Sequence, residues 1–235
     1  MNRVLVPPIE SPPAAPRNAL PVELRGETMG TNWSLRAFVP VGFNTQRLDA
    51  DIETLFADIV AQMSLWANGS AINRFNDLPA GAWLELPGRF NAVLDAALEV
   101  AAQTDGAFDP TLGALVDVWG FGAKPPARDF PNEEELRLAR ANAGWRKLTR
   151  DGAKLLQPGG LRLDLNGVAK GYAVDQVLAL AKLAALPSCL VEIGGELSGF
   201  GVKPDGQPWW VELEQPPGAV AARTLAALFD LSIAT

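Results

Sequence analysis

The segment Leu163-Asp164-Leu165-Asn166-Gly167-Val168-Ala169-Lys170-Gly171-Tyr172-Ala173-Val174-Asp175 constrains this 235-residue chain more than any other. A strand-like apolar run carries a carboxylate, meets a glycine and a lysine, and passes into a helix. That order suits a backbone that approaches a phosphate closely, with one negative and one positive side chain aimed into the same cleft. The chain contains no histidine. The commonest acid–base side chain is therefore absent, and chemistry must run on oxygen ligands, a metal ion or lysine. Together these facts predict a phosphate-bearing cofactor handled by carboxylates and a hard cation.

Composition narrows the class. The net charge is −7 and no run is rich in lysine or arginine, which disfavours electrostatic nucleic-acid binding. The single cysteine, Cys189, lies in an apolar run. It excludes an internal disulfide and thiolate zinc sites, and reads as a buried structural thiol. Residues 1–21 read as a stiff, disordered, proline-rich leader, with Pro7, Pro8, Pro12, Pro13, Pro16 and Pro21 breaking any apolar segment. Residues 22–235 then form one domain. No stretch is apolar and long enough to span a bilayer, and the reading places the chain in the cytoplasm.

The periodicity predicts mixed helices and strands. Trp33 to Val39 alternates as a strand. Leu48, Ile52, Leu55, Phe56, Ile59, Val60 and Met63 share one helix face, with Thr45 as the expected cap and an end near Trp66. Asn68-Gly69-Ser70 supplies a turn and a new N-cap for Ile72 to Phe75. Phe90 to Ala101 forms another amphipathic helix, closed by Thr104-Asp105-Gly106. Asn132-Glu133-Glu134-Glu135 is a capping box that opens an acidic helix. Arg162 to Leu165 reads as a strand and Ala169 to Leu183 as a helix. Further strands are expected at Cys189–Ile193, Glu196–Val202, Trp209–Leu213 and Leu228–Ile233, separated by Gly-Gly, Pro-Asp-Gly and Pro-Pro-Gly turns. The elements mix without strict alternation, so the fold class is α+β, mixed sheets packed with amphipathic helices.

No Walker loop or dinucleotide fingerprint occurs. Five short blocks remain. Met29-Gly30-Thr31 is either an anion-binding backbone or a plain turn. Met63-Ser64-Leu65-Trp66 ends a helix, and its tryptophan either stacks on a flat ring or completes the core, the latter being the reading in isolation. Gly106-Ala107-Phe108-Asp109-Pro110-Thr111, followed by Trp119-Gly120-Phe121-Gly122, contains an Asp-Pro-Thr that fits an ordinary N-cap. The Asp164–Asp175 block is the fourth; there an unpaired buried carboxylate would be costly. Glu192-Ile193-Gly194-Gly195-Glu196 reads as a hairpin turn that requires neither acid.

In this order, across about residues 22 to 235, the five blocks resemble the family of FAD:protein FMN transferases, the ApbE-like flavin transferases. The resemblance implies an α+β fold that holds FAD, with Mg2+ assisting transfer of the FMN moiety onto a threonine or serine of a target flavoprotein and release of AMP. It implies FAD contacts at Met29, Trp66, Ala107, Phe108, Asp109, Asp164 and Lys170, and a main-chain metal ligand at Gly167. Trp66 stands where the family often has tyrosine, which keeps stacking and loses a phenolic hydrogen bond. Phosphoryl-type transfer depends on positioning and charge neutralisation, which Mg2+ and lysine supply.

Relative to the family pattern the chain stops early, at Leu231-Ser232-Ile233-Ala234-Thr235. Members continue with a histidine motif and an Asp-rich stretch, so the catalytic base and remaining metal ligands are expected beyond Thr235. The strand at Leu228–Ile233 is then an exposed edge. Two alternative functions follow: a non-catalytic FAD-binding module, and a Mg2+-dependent FAD pyrophosphatase in which water replaces the protein hydroxyl.

Overall fold

A computed structural model of the chain describes residues 3–7, 13–123, 130–215, 218 and 222–234. Part of the proline-rich start is built into sheets. Arg3–Leu5 form strand β1, parallel to Thr224–Leu228, and the Arg3 N–H donates to the Arg223 carbonyl at 2.8 Å. Strand β2 begins at Ala19 and runs to Thr28. Of the expected leader, residues 1–2 and 8–12 lie outside the described residues. The sequence reading missed β2 because its charged residues and Pro21 interrupt the apolar pattern, as suits a strand at a sheet edge.

The chain comprises two compact units, Met1–Phe56 with Lys170–Thr235, and Ala57–Ala169. In the first, a two-residue turn at Met29-Gly30 joins β2 to β3 (Thr31–Pro40). Both turn residues have positive φ, 52° and 75°. This is the hairpin turn whose twist matches its strands. Helix α1 (Thr45–Met63) starts one residue after its cap: Asn44, rather than Thr45, accepts the Arg47 N–H through its side chain at 3.0 Å. The edge of the Phe56 ring meets the buried Trp33 ring at 5.3 Å between centroids.

The second unit continues with α2 (Ala71–Asn76), capped by Ser70, and β4 (Trp83–Glu85). Helix α3 (Gly88–Gln103) buries Phe90, Val93, Leu94, Ala97 and Ala101, the face expected from the periodicity. Helix α4 (Gly113–Val118) is followed by α5 (Glu133–Asn142), where Asn132 and Glu135 exchange both capping-box hydrogen bonds. Strands β5 (Thr149–Asp151) and β6 (Lys154–Leu156) complete a small sheet of order β4-β6-β5. Arg162 to Leu165 is not a strand in a ladder. Leu161, Leu163 and Leu165 are buried as the alternation implies. However, the side-chain amide of Asn76 pairs with both backbone groups of Leu163, at 2.7 and 3.0 Å. The Asp164 N–H donates to the Pro110 carbonyl instead of to a neighbouring strand.

Helix α6 (Asn166–Leu183) starts three residues before the expected position, so Gly167 belongs to its first turn rather than to a loop. The first unit then adds β7 (Ser188–Ile193), β8 (Glu196–Phe200), β9 (Trp209–Leu213), β10 (Thr224–Leu228) and β11 (Leu231–Ile233). The expected single strand at Leu228–Ile233 is two, in different sheets. Between them Asp230 takes a positive φ of 49°, which turns the chain. The sheets have the orders β11-β8-β7-β3-β2 and β1-β10-β9, so β11 is an edge, as expected. Residues 216 and 217 of the Pro-Pro-Gly turn lie outside the described residues.

Cys189 is buried in β7, and burial pushes its thiol up to about 12. A thiol that is neither ionised nor accessible is inert. Native protein at pH 8 is expected to resist a thiol-specific chromophoric disulfide that labels the same protein fully in denaturant. Rapid labelling of the folded chain would contradict the assignment.

Candidate functional site

Each unit gathers part of the predicted site. In Ala57–Ala169, the Asp109 carboxylate is anchored from two sides. One oxygen accepts the Thr111 N–H and hydroxyl at 2.8 and 2.6 Å. The other accepts the Trp145 N–H at 3.1 Å. Asp109 is therefore not the N-cap that the sequence allows, because α4 begins at Gly113 with Leu112 before it. The carboxylate folds back on its own segment instead. Phe108 and Ala107 follow from the end of α3, where Thr104 accepts both of their N–H groups. Ala107 is exposed and Phe108 half-buried.

The same segment reaches the start of α6. Besides the Pro110–Asp164 bond of 2.8 Å, Gly113 donates to the Arg162 carbonyl at 3.1 Å, and Leu112 bridges Arg162 in parallel. Phe108 lies 3.4 Å from where a side-chain carbon on Gly167 would stand. The ring therefore packs beside the first turn of the helix. The Asp164 carboxylate accepts the Asn166 N–H at 2.8 Å. Burial, with the charge of Asp117 beside it, pushes the Asp164 carboxyl above the usual range, while the Asn166 N–H opposes the shift.

Trp66 is 60% exposed, so it does not complete the core. It lines a cleft of about 200 Å3 together with Asn73, Asp77, Asp117, Arg162 and Leu163. Arg162 stands between two carboxylates there, with Asp117 at 2.9 Å and Asp77 at 3.5 Å. The arrangement offers an aromatic face beside a held guanidinium.

The unit Met1–Phe56 with Lys170–Thr235 ties three of the sequence blocks together. The Lys170 ammonium donates to the Gly194 carbonyl at 3.3 Å and lies 2.9 Å from Glu196. The Lys170–Glu196 contact is an ion pair whose angles are poor for a hydrogen bond, and that Glu196 oxygen is buried without one among the described residues. Gly194, at φ 55°, donates to the Asn32 carbonyl, and a side-chain carbon there would come within 2.7 Å of Thr31. Any larger residue would be strained at this φ and would crowd the Thr31 side chain. Met29 sits in the turn two residues before Thr31. The hairpin reading of Gly-Gly was right, yet it left Glu196 without a role; only the strand pairing brings it to Lys170.

Thr111, Arg162 and Asp117 were not singled out from sequence. Their signals, a hydroxyl after Asp-Pro and two charges near apolar runs, are too common to separate from surface residues. Among the described residues no three or more Asp, Glu, Cys or His side chains group as a metal site, and no helix is long and apolar enough to cross a membrane.

Comparison with known proteins gives a consistent result. The sequence model of the ApbE family matches residues 29–235. The FAD:protein FMN transferase of Vibrio cholerae is 32% identical over 219 residues, covering 91% of this chain and 65% of that protein. That of Haemophilus influenzae is 30% identical with the same coverages. The chain thus spans 65% of the length of these curated relatives. Among solved structures, the apo flavinyl transferase ApbE of Pseudomonas stutzeri superposes with a TM-score of 0.83 at 34% identity, covering 90% of this chain and 67% of that one. The flavin transferase ApbE of Vibrio cholerae gives 0.80 at 33% identity, covering 84% and 65%. The mixed helix-and-sheet fold expected from sequence is that of these structures.

Proposed function

We infer the function of this chain from one premise: it belongs to the ApbE family. The chain is an FAD:protein FMN transferase, moving FMN from FAD onto a threonine or serine of a target flavoprotein. In that reaction the acceptor hydroxyl oxygen bonds to the flavin-side phosphorus. The bond from that phosphorus to the bridging oxygen breaks, and AMP leaves with that oxygen. The observation that carries the reading is the match to relatives so named over 91% of this chain.

The residues then take the following roles. Trp66 stacks on a flat ring of FAD, and Met29, Ala107 and Phe108 are further FAD contacts. Asp109 acts through the segment it anchors, and Asp164 accepts hydrogen bonds from FAD. Lys170, which keeps N–H donors beyond the one given to Gly194, offsets phosphate charge. Charge placed before the reaction needs no reorganisation during it. No described residue is assigned as the base that takes the hydroxyl proton.

Mg2+ would neutralise phosphate charge when bound. Its proposed ligand, the Gly167 carbonyl, lies in the first turn of a helix. The described residues bring no carboxylate cluster to support it. Their donor set falls short of the hard-oxygen shell this ion prefers.

Incubating the protein with FAD, Mg2+ and an acceptor domain is expected to give AMP and an acceptor that keeps flavin fluorescence after denaturation. AMP with free FMN would identify a pyrophosphatase instead. Bound FAD without AMP would identify a binding module, and failure to retain flavin at micromolar FAD would overturn all three. Repeating the reaction with a chelator reads the metal requirement directly.

A further inference from the structure

The Thr111 hydroxyl is fully buried and uses both its hydrogen-bonding capacities. It donates to Asp109 at 2.6 Å and accepts the Gly144 N–H at 2.7 Å. Through Asp109, which also takes the Trp145 N–H, it fastens the Asp109–Thr111 segment to the turn at Gly144-Trp145. The other side of that segment is the Pro110 carbonyl, which holds the Asp164 N–H at 2.8 Å. Asp164 in turn caps the first N–H of α6. One hydroxyl therefore closes a chain of bonds from residue 144 to the carboxylate in the opening sequence block.

We propose that Thr111 is a positioning residue for FAD handling, setting the placement of Asp164 through Asp109 and Pro110. This rests on the reading of Asp164 as an FAD contact. A buried side chain held by packing and by outer hydrogen bonds keeps a contacting group within the small tolerance that binding and transfer require. Serine keeps both bonds of the hydroxyl. Valine keeps the shape, removes the donor and acceptor, and takes away the hydroxyl that pairs the half-buried Gly144 N–H.

The test is a cycle of Thr111→Val, Thr111→Ser and Asp164→Asn, with FAD affinity measured by fluorescence titration at a temperature where circular dichroism shows each variant folded. Thr111→Val is expected to weaken FAD binding roughly tenfold, and Thr111→Ser by less than about twofold. In the Asp164→Asn background Thr111→Val should add nothing further, because the two act on one contact. Additive losses, or a folded Thr111→Val with wild-type affinity, would overturn the positioning role. An Asp164→Asn protein that binds FAD normally would instead overturn the assignment of Asp164. Should Thr111→Val not fold, Asp109→Asn carries the same cycle. It removes the acceptor for the Trp145 N–H and keeps the hydroxyl, so a milder loss is expected, again absent in the Asp164→Asn background; an additive loss counts against the proposal.

Discussion

Asp164→Asn is expected to weaken FAD binding roughly 30-fold, the equivalent of about 2 kcal/mol for a hydrogen bond to a charged group, while leaving the fold as stable as before or more so. The two halves of this expectation have separate causes. Burial and the neighbouring Asp117 raise the Asp164 carboxyl above its ordinary range despite the Asn166 N–H. A carboxyl raised on folding holds its proton more firmly in the native state than in the unfolded one. The stability penalty of ionising it is absent below the unfolded value, grows as pH rises through the interval up to the folded value, and is complete above that. Asparagine avoids that penalty and still offers an oxygen to the Asn166 N–H, now 2.8 Å from the carboxylate. Urea midpoints at pH 7 and flavin titrations read the two effects apart. The stability difference between variant and wild type should also shrink below about pH 4, the ordinary carboxylate value. Parallel losses of stability and affinity would make Asp164 a structural residue.

The contrast between Asp164 and its surroundings shows what the sequence makes legible. Helices α3 and α5 follow directly from apolar spacing and a capping box, since both are local properties of consecutive side chains. The alternation of Leu161, Leu163 and Leu165 correctly marks burial. It does not reveal that Asn76, 87 residues away, stands in for a neighbouring strand. Edge strand β2 escapes for the opposite reason: with one side toward solvent its pattern is polar and carries a proline. The blocks of the site are visible as motifs, but their ties are tertiary. Gly194 reaches Thr31 only because β3 pairs with β7, and Thr111 meets Gly144 across 33 residues. A hydroxyl or a carboxylate in a string of letters carries no mark of such a partner.

The pairing of Lys170 with Glu196 makes the last prediction a test of function against structure. Side-chain exposures of 32% and 14% put the pair largely out of water. Lys170→Met leaves the Glu196 carboxylate with no compensating charge among the described residues, and a stranded buried charge costs roughly 3 kcal/mol. Adding Glu196→Gln removes that charge, so the double variant should regain most of the lost stability. It should not regain FAD turnover. The ammonium proposed to offset phosphate charge is absent from both, and the loss of one such preorganised charge is worth on the order of 100-fold. Glu196→Gln alone keeps the ammonium on the Gly194 carbonyl at 3.3 Å. Its turnover should therefore stay well above that of either protein lacking the lysine. Thermal melts and AMP release measured on the three proteins decide the matter. If the double variant recovers stability and turnover together, Lys170 serves the fold alone. If turnover stays lost in a protein that melts like wild type, the lysine acts on the substrate, and Glu196 keeps it in place.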